Sequence, residues 1–257
     1  MKVTLIPSSL STDGFDQNQY AIAYLINDRL AVDAGSLGFY GTPDDQAKIK
    51  DIFLSHTHAD HIASLPIFVE NAYEGGADPV TVHGSASVLD CLRRDVFNGR
   101  VWPDFIGMTT PETPFLTLSE IKPGRSIERQ GLQITPIAVD HLVPTLGFLI
   151  EDQDSAILIA SDTGPTDELW RLARSSIRLR AVFLEASFPD AMLKLARDSK
   201  HLTPALFREE VGKLGRDDVD LIAVHIKPRY RAEIIGQLES LGLNRLTIGR
   251  LGQAYSY

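Results

Sequence analysis

The chain has 257 residues, of which 44% are hydrophobic and 23% are charged. This length and composition are typical of one large globular domain or two small ones. Its 34 acidic residues outnumber its 25 basic residues and give a formal net charge of −9. That charge argues against a broad nucleic-acid-binding surface, but not against a small anionic substrate, because bound metal ions can reverse the local field.

Short strand-like runs alternate with helical patterns along the first half of the chain. The pattern predicts strands over residues 2–7, 20–26, 30–33, 52–55 and 80–83. It predicts helices over residues 43–50 and 85–97, followed by an irregular segment, rich in Pro and Thr, over residues 102–120.

The second half continues the same alternation. Strands are predicted over residues 132–139, 145–151, 156–160, 181–185, 220–225 and 245–248. Helices are predicted over residues 165–175, with proline in the first turn, 204–215 and 229–241. Together the two halves indicate a layered α/β fold with sheets that are at least partly antiparallel.

Cysteine usage and the apolar runs narrow the class of protein further. The lone cysteine, Cys91, excludes an intramolecular disulfide and a thiolate metal site. No apolar run approaches the length of a membrane span, and the first residues lack the apolar stretch of a signal peptide. We therefore expect a cytoplasmic protein with no membrane segment.

Polar side chains stand where several of the predicted strands end. His56 and Asp162 each follow a strand, while Glu185 and His225 lie at the ends of two others. Because strand ends converge at one edge of a sheet, we expect these side chains to lie close together.

The strongest motif is Ser-His-Thr-His-Ala-Asp-His, over residues 55–61. Four potential metal ligands fall within six residues, on a predicted strand-to-helix turn where they can point inward together. Imidazole and carboxylate groups suit Zn²⁺, Mn²⁺ or Fe²⁺, and so dense a cluster serves two ions more naturally than one. The alternative interpretation is a polar surface turn in which histidines happen to cluster.

This motif, placed after a short apolar strand, resembles the metallo-β-lactamase superfamily. The resemblance implies a four-layered αββα sandwich, a single domain over residues 1–257, and a dinuclear metal site at the sheet edges. It implies that one ion is held by His56, His58 and His141. It implies that the other is held by Asp60, His61 and His225, with Asp162 bridging the two.

Two further residues suggest acid–base chemistry. Glu185 lies at a strand end, and His201 precedes a helix that Thr203 is predicted to cap. We expect Glu185 to orient the imidazole and raise its pKa, so that His201 can give a proton to a leaving group. A helix entry hydrogen-bonded to a neighbouring carboxylate is the alternative interpretation.

The Glu185–His201 pairing resembles the branch shared by tRNase Z and the class II 3′,5′-cyclic-nucleotide phosphodiesterases. The tRNase Z family usually carries a basic arm, often inserted between the third histidine and the bridging aspartate. Only 20 residues separate His141 from Asp162 here. Together with the net charge, this favours a cyclic nucleotide over tRNA as the substrate.

The expected activity is therefore metal-assisted hydrolysis of cyclic AMP or cyclic GMP to the 5′-nucleotide. Asp60, His201 and Glu185 are the expected catalytic residues, and the expected cofactors are two divalent ions, Zn²⁺ before Mn²⁺ or Fe²⁺. The expected partner is a small anionic nucleotide, with no membrane and no extended nucleic-acid surface, and a homodimer is left open. The alternatives are an RNA 3′-end endonuclease of the same branch, another hydrolase of this fold, and a non-catalytic metal-binding subunit.

Overall fold

Two seven-stranded β-sheets pack face to face, and helices cover their outer sides. The structure, a computed structural model, describes residues 1–11, 14–15, 17–75 and 78–257. Within those residues, no helix is long and apolar enough to cross a membrane.

The strands of the first half, with the hairpin β2–β3, are β1 (Lys2–Leu5), β2 (Leu10–Ser11), β3 (Gly14–Phe15), β4 (Tyr24–Ile26), β5 (Leu30–Val32), β6 (Asp51–Phe53), β7 (Val80–Gly84) and β8 (Leu116–Glu120). Those of the second half are β9 (Ile127–Arg129), β10 (Leu132–Val139), β11 (Thr145–Glu151), β12 (Ala156–Ile159), β13 (Leu179–Glu185), β14 (Asp220–Val224), β15 (Leu246–Ile248) and β16 (Ala254–Ser256).

The α-helices are α1 (Pro43–Gln46), α2 (Ala59–Ile62), α3 (Leu65–Asn71), α4 (Ala86–Cys91), α5 (Glu168–Ser175), α6 (Leu193–Asp198), α7 (Pro204–Gly212) and α8 (Arg231–Ser240). Short 3₁₀ turns cover Leu37–Phe39, Asp190–Met192 and Pro228–Tyr230, and a π-helical turn, Leu92–Val96, extends α4.

Both sheets are mixed, as the sequence predicts. The first has the strand order β16-β1-β4-β5-β6-β7-β8, and the second has the order β15-β14-β13-β12-β11-β10-β9. Strands β5 to β8 run parallel in the first sheet, and β12 to β15 run parallel in the second. Within each parallel set the carboxyl ends therefore lie at one edge.

Alternation along the strands explains the four layers. In β12, Ile157 and Ile159 face the core between the sheets, where Phe53 and Phe148 also pack. Ala156 and Leu158 face the helix layer instead. Since successive strand side chains point to opposite faces, a strand that is apolar on both must be covered on both. The predicted αββα sandwich is confirmed.

Several predicted boundaries differ from the structure. The segment 102–120 is not wholly irregular, because its end forms the edge strand β8. The predicted helix over residues 43–50 is a single turn, and the helix predicted from residue 165 begins only at Glu168, so Pro165 is not in its first turn. Strands β9 and β16 and helix α6 have no counterpart in the prediction, because short elements are held by tertiary pairing more than by local pattern.

Candidate active site

The sequence-predicted polar residues gather at the carboxyl ends of the parallel strands. His56 follows β6, Asp162 follows β12, Glu185 is the last residue of β13, and His225 follows β14 directly. The expected convergence of these strand ends is therefore found in the structure.

Unusual backbone conformations accompany these strand ends. Ser161, Lys200 and His225 have positive φ angles of 58°, 54° and 53°. Non-glycine residues rarely adopt such angles, and they persist where the surrounding structure over-determines them. Ser161 precedes Asp162 and Lys200 precedes His201, so at each position the chain turns sharply to direct a site residue.

Helix α2 carries the centre of the histidine motif. His58 is its N-cap residue, and Asp60 and His61 lie in its single turn. The helix packs so tightly on the turn after β5 that a Cβ added to Gly35 would lie 1.9 Å from the Asp60 carbonyl oxygen. Only glycine allows this approach, which sets the position of α2 against the strand ends.

Asp162 lies between two sets of histidines. Its Oδ2 is 3.8 Å from His56 Nε2 and 4.0 Å from His141 Nε2. Its Oδ1 is 3.3 Å from His61 Nε2 and 3.6 Å from His225 Nδ1. Each carboxylate oxygen therefore faces a different set, as a residue that bridges two ions would.

All seven predicted ligands are brought together. In the first group, donor atoms of His56, His58, His141 and Asp162 lie within 4.8 Å of one another. In the second group, donor atoms of Asp60, His61 and His225 also lie within 4.8 Å of one another.

The chemistry of this cluster fits a divalent metal ion. His56 Nε2 and His61 Nε2 are buried without a hydrogen-bond partner among the described residues, although buried polar atoms are normally satisfied. Burial and the neighbouring His61 lower the pKa of His56 to about 2, so His56 offers a neutral lone pair. Burial alone would raise the pKa of Asp162. The surrounding histidines have a larger, opposite effect, and the pKa lies well below its usual value.

Asp33 is a site residue that the sequence analysis missed. Its Oδ2 is 2.7 Å from His61 Nδ1 and accepts a hydrogen bond of 2.8 Å from Ser55 Oγ. Burial lowers the pKa of His61, but Asp162 and Asp33 together raise it well above its usual value. In the sequence, Asp33 stands at the end of the predicted strand over residues 30–33, but a single aspartate at a strand end is too common to mark a site residue.

Glu185 and His201 form the predicted pair. His201 Nδ1 lies 2.8 Å from Glu185 Oε1, and both side chains are buried. Burial alone would lower the pKa of His201. The charge and hydrogen bond of Glu185 have a larger, opposite effect, and the pKa lies above its usual value. The capping role belongs to Thr203, whose side chain accepts from the Leu206 amide, so the His201 ring is not a helix cap.

His201 also faces the cluster of predicted metal ligands. Its ring stacks on that of His225 with centroids 5.6 Å apart, and it shares a group of donor atoms within 4.8 Å with Asp162 and His225. A proton on this imidazole is therefore placed beside the cluster.

Comparison with known proteins gives two kinds of match. The model of the beta-lactamase superfamily domain matches residues 36–226. A probable 3′,5′-cyclic-nucleotide phosphodiesterase of Yersinia pestis is 26% identical over 212 residues, which cover 71% of this chain and 58% of that protein. The ribonuclease Z of Bacillus licheniformis is 31% identical over 244 residues, which cover 74% of each chain.

Among solved structures, unliganded yeast PDE1 is similar with a TM-score of 0.80 over 98% of both chains, at 18% identity. At that identity the likeness concerns the fold alone. The chain spans 58% of the length of its Yersinia relative, so that protein's activity cannot be carried over as a whole.

Proposed function

The chain belongs to the metallo-β-lactamase superfamily, and on that premise we propose that it is a metal-dependent phosphodiesterase that hydrolyses a 3′,5′-cyclic nucleotide to the 5′-nucleotide. The observation that carries the proposal is the buried Glu185–His201 pair, 2.8 Å apart, beside the histidine–aspartate cluster. A metal centre alone could serve many hydrolases. A proton donor next to it is needed where the leaving group is a strongly basic alkoxide.

The cofactors in this proposal are two divalent ions, with Zn²⁺ as the first choice. The seven donors are imidazoles and carboxylates, which suit Zn²⁺, Mn²⁺ and Fe²⁺. When bound, such ions neutralise charge on the phosphoryl oxygens and activate a water molecule for attack at phosphorus.

The protein's own residues supply the rest of the chemistry. Glu185 accepts a hydrogen bond from the Nδ1–H group of His201, which leaves Nε2 as the atom that gives a proton to the departing ribose 3′-oxygen. The raised pKa of His201 keeps it protonated at higher pH than a free histidine, as a proton donor requires. Asp162, which faces both sets of histidines, and Asp60, which belongs to the second set, would hold the ions that bind the reacting phosphate.

Ribonucleic acid 3′-end cleavage is the second candidate, because the Bacillus ribonuclease Z is 31% identical over 74% of both chains. Two observations favour the cyclic nucleotide. The chain between His141 and Asp162 contains only the paired strands β11 and β12, and the net charge is −9. A basic grip on a polynucleotide would need the opposite charge balance.

A substrate comparison on one zinc-loaded preparation tests the proposal. We expect cyclic AMP or cyclic GMP to be converted to the 5′-nucleotide faster than a precursor tRNA is cleaved, at moderate salt. Efficient tRNA cleavage that falls steeply as salt rises, with no cyclic-nucleotide hydrolysis, would favour the second candidate instead.

A further inference from the structure

Ser187 lies between the Glu185–His201 pair and His225, one of the predicted metal ligands. It is fully buried, and its hydroxyl oxygen is 2.6 Å from Glu185 Oε2, 2.8 Å from His225 Nδ1 and 3.0 Å from the His225 carbonyl oxygen. Neither the histidine motif nor the Glu185–His201 pair accounts for this residue.

The hydroxyl has a single hydrogen, so only one of these neighbours can accept it. Glu185 is the strongest acceptor, because it is acidic and gives the shortest contact. Both of its oxygens already accept backbone N–H groups, Oε1 from Thr163 and Oε2 from Leu202, as a carboxylate does. When Ser187 donates to Glu185, its oxygen is left to accept a hydrogen from His225 Nδ1.

That arrangement decides which nitrogen of His225 carries the proton. With hydrogen on Nδ1, the Nε2 atom keeps its lone pair, and Nε2 is the atom that lies 3.2 Å from Asp60 Oδ2 in the second group of ligands. The opposite tautomer would place a hydrogen on Nε2 and block metal binding there.

We propose that Ser187 is a positioning residue that holds His225 in its metal-binding tautomer. Glu185 thereby controls two histidines, His201 directly and His225 through the Ser187 hydroxyl. The inference rests on the proposed metal role of His225, but on no particular substrate.

Zinc affinity measured by chelator competition on metal-stripped protein tests the inference without any activity assay. In Ser187→Ala, we expect the affinity for one of two ions to fall about 10- to 100-fold, while the other is unchanged. Ser155→Ala is the matched control, since it removes another buried hydroxyl that bonds Asp152 and the Tyr257 carbonyl. Both its affinities should equal those of the unaltered protein.

A second measurement needs no variant and so does not depend on Ser187→Ala folding. In the unaltered protein loaded with zinc, ring ¹⁵N chemical shifts should place the His225 proton on Nδ1. A proton on Nε2, or unchanged zinc affinities in folded Ser187→Ala, would overturn the inference.

The outcomes separate this inference from the proposed function. If the unaltered protein and Ser187→Ala both bind two zinc ions with the same affinities, the Ser187 role alone is overturned. Loss of one ion in Ser187→Ala, in a protein that hydrolyses no cyclic nucleotide, would support the Ser187 role and remove the proposed substrate. An unaltered protein that binds no zinc would overturn both.

Discussion

At the scale of single residues, Asp162 is the carboxylate whose two oxygens face different sets of histidines. Asp162→Ala should therefore weaken both metal sites together, whereas His225→Ala should mainly affect one. Metal analysis of the two purified variants checks this difference. Two ions retained at full occupancy in Asp162→Ala would remove the bridging role.

In the proposed function, His201 acts on the leaving group. Neither of the two ligand groups that include residues of the histidine motif contains His201. His201→Ala should keep both ions yet lose about 10²- to 10⁴-fold in cyclic-nucleotide hydrolysis, the usual worth of a positioned proton donor. An aryl phosphodiester, whose phenolate leaves without a proton, should be hydrolysed with far less impairment.

Glu185→Gln is the companion variant, and it should show a weaker form of the same selectivity between the two substrates. Equal losses on both substrates in His201→Ala would exclude a leaving-group role and point to substrate positioning. Loss of an ion in that variant would make His201 a ligand.

The sequence predicted the ligand residues because four of them stand in one short motif and the others follow predicted strands. Asp33 and Ser187 were not predicted. Each acts by a hydrogen bond to a residue far along the chain, 28 positions from Asp33 to His61 and 38 from Ser187 to His225. Single serines and aspartates are too common to mark such contacts in one sequence.

At the scale of elements, the position of α2 depends on the close contact at Gly35. Gly35→Ala should cost at least about 1–3 kcal/mol, because its Cβ would collide with the backbone of Asp60 rather than with a flexible side chain. The variant should also bind metal more weakly, since α2 carries two of the ligands.

Gly236 provides the matched control, because it lies within α8 and a Cβ there meets nothing within 4 Å. Gly236→Ala should be neutral or more stable by up to about 1 kcal/mol, with unchanged metal affinity. Denaturant unfolding and metal analysis on both variants check the pair. A Gly35→Ala protein as stable as the unaltered one would mean that α2 is not held by this contact.

A buried polar cluster joins the two sheets away from the metal site. Asp51 on β6 bonds His83 Nε2 and Gln130 Nε2, each at 2.8 Å. Burial alone would raise the pKa of Asp51. These hydrogen bonds and the charges of His83 and Arg129 have a larger, opposite effect, and the pKa lies below its usual value. Its stabilising contribution is therefore present above the unfolded-state pKa, about 4, and is lost as the pH falls through the lower folded-state value.

Asp51→Asn should accordingly lower the free energy of unfolding near neutral pH by about 1–3 kcal/mol, since it leaves a buried histidine without its charged partner. The difference between the variant and the unaltered protein should shrink as the pH falls below about 4. Unfolding curves across this range measure the difference, and a gap that is constant with pH would contradict the assigned charge on Asp51.

The alternation of strand and helix patterns was sufficient to predict a layered α/β fold with mixed sheets. It could not give the strand order, because pairings such as β1 with β16 join residues from opposite ends of the chain. The edge strand β8 was missed for a related reason. Its residues are only partly buried, so it shows little of the continuous apolar run by which β12 and β13 were recognised.

At the scale of the whole molecule, the two sheets bring strand ends from both halves of the chain to one histidine–aspartate cluster, in a protein of net charge −9. The overall charge would repel the proposed phosphate-bearing substrate. Attraction would therefore have to come from the site itself, where bound cations would dominate the local field. The proposed activity therefore depends on metal binding above every other feature.

Titration of zinc into metal-stripped protein, with 5′-nucleotide formation from cyclic AMP and cyclic GMP followed at each addition, tests that claim most directly. We predict no hydrolysis in the stripped protein and full activity only when about two ions are bound per chain, as a dinuclear site requires. Full activity in the stripped protein, or no hydrolysis of either nucleotide with both ions bound, would contradict the account.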